Sequence, residues 1–198
     1  MKSLEINGKI REVTGKKDSK KLRAGGLVPC VLYGGDAVTH FYVPFGDFRP
    51  LIYTPEVFVV NLNIEGKVYP SILQEIQWHP VEEQILHIDF LQIIENKPVK
   101  LELPVNILGT AKGSKVGGKL KVALRKIKVK GLVKDLPDSL NVDVTNLDLG
   151  QSIKVGDIAI NGVQLLASKS SVVVTVSVTR ASKDAAQSGT AATEGKTA

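Results

Sequence analysis

His87-Ile88-Asp89 places an imidazole and a carboxylate two positions apart in an apolar run. In an extended strand such positions point to one face, so the carboxylate can orient the ring. An oriented imidazole can serve as a general base; the simpler reading is a hydrogen-bonded pair at a strand end. Catalysis would also need a nucleophile or a metal. Ser and Thr fall mainly in turns and strands without a supporting motif. The histidines at 40, 79 and 87 form no zinc signature, and Cys30 is the single cysteine. Residues 109–118, GTAKGSKVGG, are rich in Gly and Lys but lack the GxxxxGK[ST] spacing of a phosphate loop. We therefore expect no enzyme, no catalytic or metal-ligating residue and no cofactor.

Cationic side chains offer a second kind of chemistry. Residues 11–35 read REVTGKKDSKKLRAGGLVPCVLYGG, and residues 1–26 hold eight Lys/Arg against three acids. Charges this close repel one another unless solvent or an anionic partner neutralises them, and a phosphate backbone fits that need. A solvated charge run without a partner is the alternative. The net charge of +6 conceals alternating blocks: residues 27–96 are acidic, whereas residues 97–134 hold eleven Lys/Arg against one acid. An acidic remainder limits indiscriminate sticking of such a protein to polyanions.

These groups need a frame, and the pattern predicts one made mainly of strands. Residues 4–13 read as a hairpin-like strand with a turn signal at Asn7-Gly8. Residues 18–24 suit a short helix capped by Asp18 or Ser19 and stopped by Gly25-Gly26. Val28 to Tyr33 reads as a buried strand closed by Gly34-Gly35-Asp36, with Cys30 a small buried hydrophobe. Strands are expected at 38–43, 56–63, 67–77 and 84–91, with a short helix near 44–52 and a hairpin at Glu65-Gly66. Short strands at this spacing predict a small β-barrel with short helices over 1–95. A second all-β domain follows over 96–180. It carries a Gly/Lys-rich loop, a strand with a basic face from Lys126, Lys128 and Lys130, and strands in SLNVDVTNL, IKVGDIAI and SVVVTVSVT. The low-complexity stretch 181–198 has nothing to bury and is expected to be disordered. A lone cysteine suits a reducing compartment, and no stretch approaches a membrane span or a signal-peptide core, so a soluble cytosolic protein is expected.

The motifs in order carry a resemblance. Arg11 with Gly15-Lys16, then Ser19-Lys20-Lys21-Leu22-Arg23, Gly26, Pro29 and Tyr33-Gly34-Gly35 are similar to the N-terminal signature of the bacterial large-subunit ribosomal protein twenty-five family. Gln77-Trp78-His79-Pro80 resembles its QxHP element, and His87-Ile88-Asp89-Phe90 its HxDF element. Gly109-Thr110-Ala111-Lys112-Gly113, Gly117-Gly118, Leu136-Pro137-Asp138-Ser139-Leu140 and Val142-Asp143 resemble the second domain of the long form, the CTC or TL5 type. The resemblance spans residues 1 to about 180.

That resemblance implies binding to 5S ribosomal RNA, at the loop E helix, in the central protuberance of the large ribosomal subunit. The positions it implicates are Arg11, Lys16, Ser19, Lys20, Lys21, Arg23, Tyr33, Gln77, His87 and Asp89. The cations would meet phosphates, and Ser19 a phosphate or ribose. Tyr33 would present its ring or hydroxyl to RNA, or else close the core as the last residue of its strand. Gln77 and Asp89 suit base edges exposed in a shallow groove, with Asp89 accepting from a base amino group. His79 before Pro80 reads as turn-forming. Where many relatives carry Gly-Ala-Ser, this chain has Lys17-Asp18-Ser19, and its basic pair Lys20-Lys21 lacks an arginine fork. The second domain is expected to touch neighbouring ribosomal RNA or ribosomal proteins. Two rivals stand beside this reading: a β-protein that binds acidic partners nonspecifically, and a hydrolase using His87 and Asp89.

Overall fold

The computed structural model describes residues 2–35, 37–158, 160 and 162–179. The expected disordered stretch 181–198 and Asp36 of the predicted turn lie outside the described residues.

Six strands close into a barrel: β1 (Lys2–Ile10), β2 (Leu27–Tyr33), β3 (Thr39–Pro44), β4 (Phe58–Ile64), β5 (Lys67–Trp78) and β6 (Ile85–Gln92), in the order β1-β3-β2-β6-β5-β4. Two of the contacts are parallel, β1 with β4 and β2 with β6, and the first of these closes the barrel. Alternation of apolar and polar residues turns Ile6, Leu32, Phe41, Val60, Leu62, Ile88 and Phe90 inward, all at 2% exposure or less. Phe41 and Phe48 pack on Phe90 with ring centroids 5.9 and 6.2 Å apart. The buried Ser71 is satisfied by donating to the Val60 carbonyl at 2.8 Å. The β4–β5 hairpin turns at Glu65-Gly66, both at positive φ, as its dipeptide predicts.

Asn7-Gly8 is not a turn. β1 runs straight through it, pairing Asn7 with Asn63 and Gly8 with Ile64. Glycine is required there for a different reason, since a Cβ would lie 2.7 Å from Cδ2 of Phe41. The first helix, α1 (Lys16–Ala24), begins two residues earlier than expected and packs against β2. Its N-cap is Gly15, with no capping side chain, so neither Asp18 nor Ser19 caps it. It stops at Gly25-Gly26 as expected, with Gly26 at φ 70°. The segment 45–52 forms a 3₁₀ turn, Phe45–Phe48, and one α-helical turn, α2 (Arg49–Ile52).

The described residues divide into two compact units: one comprises those up to Leu101 together with Lys130–Asp138, and the other Glu102–Val129 with the described residues that follow Asp138. Two sheets form besides the barrel. One has the order β10 (Leu140–Asp143), β7 (Val99–Leu108), β9 (Lys126–Gly131), β12 (Val163–Leu165); the other has β11 (Ser152–Lys154), β13 (Val172–Ser177), β8 (Lys119–Val122). Within the segment 153–160 the strand β11 ends at Lys154 and passes into a 3₁₀ turn, Val155–Asp157. The Gly/Lys-rich loop contains a helical turn, α3 (Lys112–Lys115). Its amides at 112–115, 117 and 118 all donate to carbonyls of this chain and are not free to hold a phosphate. Gly113 lets this turn approach closely, since a Cβ would sit 2.7 Å from the Asp148 carbonyl carbon.

Candidate nucleic-acid interface

The outer face of the β2–β6–β5 wall carries the polar residues singled out by spacing. Ile88 and Phe90 fill the barrel, so His87 and Asp89 point outward. His87 Nδ1 and Asp89 Oδ1 are 2.6 Å apart, with side chains 29% and 27% exposed. Register with β5 sets Gln77 opposite His87 and Glu75 opposite Asp89, while β2 places Val31 beside Asp89. Val31 also pairs with His40 of β3. One lateral row therefore reads His40, Val31, Asp89, Glu75. Tyr33, partly buried near the end of β2, has its phenol held above the usual range by burial first, then by the charges of Asp89 and Glu75. Beneath this face lies Cys30, 1% exposed, whose thiol is pushed up by burial and secondarily by Asp89.

Glu75 went unnoticed in the sequence. It belongs to no motif, and its position opposite Asp89 depends on a register shift between Leu73 and Glu75. Like charges facing each other across strands are unfavourable. Hydrogen-bond donors placed between them relieve that cost, and base amino groups are such donors whereas phosphates are not.

The cations lie on α1 and differ in their engagement. Lys16, Lys17, Lys20 and Lys21 are exposed, and none has an ion-pair partner among the described residues. Arg11, directly after β1, is folded back onto the helix with its side chain only 9% exposed. Its Nε donates to Asp18 Oδ2 at 2.9 Å and to the Val13 carbonyl at 3.0 Å, and its Nη2 donates to Ser19 Oγ at 2.9 Å. Ser19 Oγ in turn donates to the Gly15 carbonyl at 2.8 Å. At the other end of the helix, Arg23 Nη1 donates to the Leu86 carbonyl at 3.1 Å, next to His87. α1 is thereby attached to the strand that bears His87 and Asp89. His79 is a turn residue, with Nδ1 accepting from the Glu82 amide at 3.1 Å.

On β9, Lys126 and Lys128 are exposed on one face while Ile127 and Val129 are buried, and Lys130 is partly covered. Lys128 Nζ lies 3.7 Å from Glu102 Oε1. Among the described residues no group of three or more His, Cys, Asp or Glu could hold a metal ion, and no helix is long and apolar enough to cross a membrane.

Comparison with known proteins places the chain in a family. Residues 6–90 match the Ribosomal L25p family and residues 98–180 match the family Ribosomal protein TL5, C-terminal domain. The chain is 48% identical to the large ribosomal subunit protein bL25 of Phocaeicola vulgatus, covering 99% of this chain and 100% of that one. It is 50% identical to the bL25 protein of Azobacteroides pseudotrichonymphae over 92% and 97% of the two chains. The bL25 protein of Bacteroides thetaiotaomicron is 46% identical over 94% and 97%. With both of its domains matched and relatives aligned over almost their whole length, the chain belongs to the long form of the bL25 family.

Proposed function

We propose that this protein is a structural, non-catalytic component of the large ribosomal subunit, cytoplasmic and ribosome-bound, whose barrel binds 5S ribosomal RNA at loop E in the central protuberance. The observation that carries the proposal is the outward-facing quartet of Gln77, His87, Asp89 and Glu75 beside a helix of unpaired lysines. Lys16, Lys20 and Lys21 supply affinity through phosphates, with Arg11, Ser19 and Arg23 framing the helix. Gln77, His87, Asp89 and Tyr33 supply selectivity at irregular pairs, where base edges are exposed in a wide, shallow groove. The basic strands of the second unit suit neighbouring ribosomal RNA or ribosomal protein.

Titration of the full chain against 5S RNA and a scrambled duplex, across a salt series, tests the reading. Preference for 5S RNA that persists as salt rises is the expected result. Equal affinity for both RNAs would leave nonspecific attraction to polyanions as the explanation.

A further inference from the structure

α1 is poorly equipped to hold its own shape. It has nine residues, no buried residue and no capping side chain, and its N-cap is a glycine. Isolated helices of that length are marginal in water, and four exposed lysines close together oppose its formation. Besides its packing against β2, a pair of arginines fixes it, one at each end. Arg11 ties the first turn to the end of β1 through Asp18 and Ser19, and Arg23 ties the last turn to the β6 backbone at Leu86. Asp18 gives Arg11 an ionic partner within the helix.

We propose that Arg11 is a positioning residue of the RNA-binding helix and not a phosphate ligand, and that Lys17 is an additional phosphate contact. The inference rests on the RNA-binding reading above. A guanidinium that is 9% exposed and donates to Asp18, Val13 and Ser19 has little left for a phosphate. Lys17 shares the exposure of Lys16, Lys20 and Lys21, and Asp18, the acid beside it, is engaged by Arg11.

Amide hydrogen exchange of the free, full-length protein tests the first part without RNA. Arg11→Gln and Asp18→Asn should each lower protection at Ser19 to Arg23 by about tenfold, as for one lost charged hydrogen bond in a locally opening segment. The double variant should lower it no further, and Arg11→Lys, which keeps the ion pair, should restore much of it. Binding to 5S RNA across a salt series tests the second part. R11Q should weaken binding at every salt concentration with the slope of log K against log salt unchanged, whereas Lys17→Ala should reduce that slope by about one. Unchanged helix protection in R11Q and D18N, with the slope in R11Q reduced by about one, would make Arg11 a phosphate ligand and overturn the proposal. An unchanged slope in K17A would remove Lys17. Failure of the wild-type chain to prefer 5S RNA would defeat the underlying reading, while the exchange result on the free protein would still decide the role of Arg11.

Discussion

Replacing Asp89 by alanine removes an acceptor that the fold holds in place, and the structure separates what that costs the protein from what it costs binding. The carboxylate accepts from His87 Nδ1 at 2.6 Å, yet both side chains are more than a quarter exposed. A charged hydrogen bond contributes about 1.5–3 kcal/mol when dry and an exposed ion pair about 0–1. We therefore expect a stability loss of about 1 kcal/mol, too small to unfold the barrel at 20 °C. If Asp89 accepts from a base, its loss should cost about 1–3 kcal/mol of discrimination, or about 5- to 150-fold in affinity for 5S RNA. On a plain duplex the sign reverses, because a carboxylate near phosphates repels them and its removal strengthens binding slightly. Asp89→Asn, which keeps an acceptor without the charge, should fall between wild type and alanine on 5S RNA. The assay is paired titration of both RNAs at one salt concentration. Equal losses on the two RNAs, or a gain on both, would refute a base-reading role.

Other outcomes follow from the same geometry. Glu75→Gln should relieve repulsion with Asp89 and raise the melting temperature of the free protein slightly, while weakening 5S preference; a thermal melt and the paired titration check the two effects. Lys20→Ala with Lys21→Ala should lower the salt slope of 5S binding by about two in total, read from affinities at several salt concentrations. Gly8→Ala forces a methyl against Phe41 and should cost about 1–3 kcal/mol, or a melting drop of at least about 4 °C for a unit this size, seen by circular dichroism. Cys30, buried with its thiol raised, holds little thiolate at pH 8, so iodoacetamide should label it only after denaturant is added. Tyr33 should ionise above an ordinary tyrosine in an absorbance titration, and Asp89→Asn should bring its midpoint down, because Asp89 is one cause of the shift.

How far the sequence revealed this site depended on how local each signal was. His87 and Asp89 share a face because of a two-residue period, which needs nothing beyond their own strand. Glu65-Gly66 turns the chain where its dipeptide says it should. Asn7-Gly8 carries the same kind of signal and misleads, because the demand for glycine comes from Phe41, in a neighbouring strand far along the chain. Asp18 looked like a cap for its own helix and instead meets Arg11, so the spacing alone could not say which cations are free. Glu75 and His40 join the row only through registers across β5, β6, β2 and β3, and one of those registers contains an irregularity that pattern reading does not foresee.

The parallel pairing that closes the barrel bears on when the protein becomes able to act. β1 pairs Lys2 with Phe58, and β2 pairs Cys30 with Ile88, so neither contact can form until much of the unit has been synthesised. Contacts so distant in sequence slow folding. The basic helix is made early, but Leu86, to which Arg23 anchors it, is added some sixty residues later in the chain. During synthesis the basic helix therefore lacks its Arg23 anchor until β6 has emerged and docked.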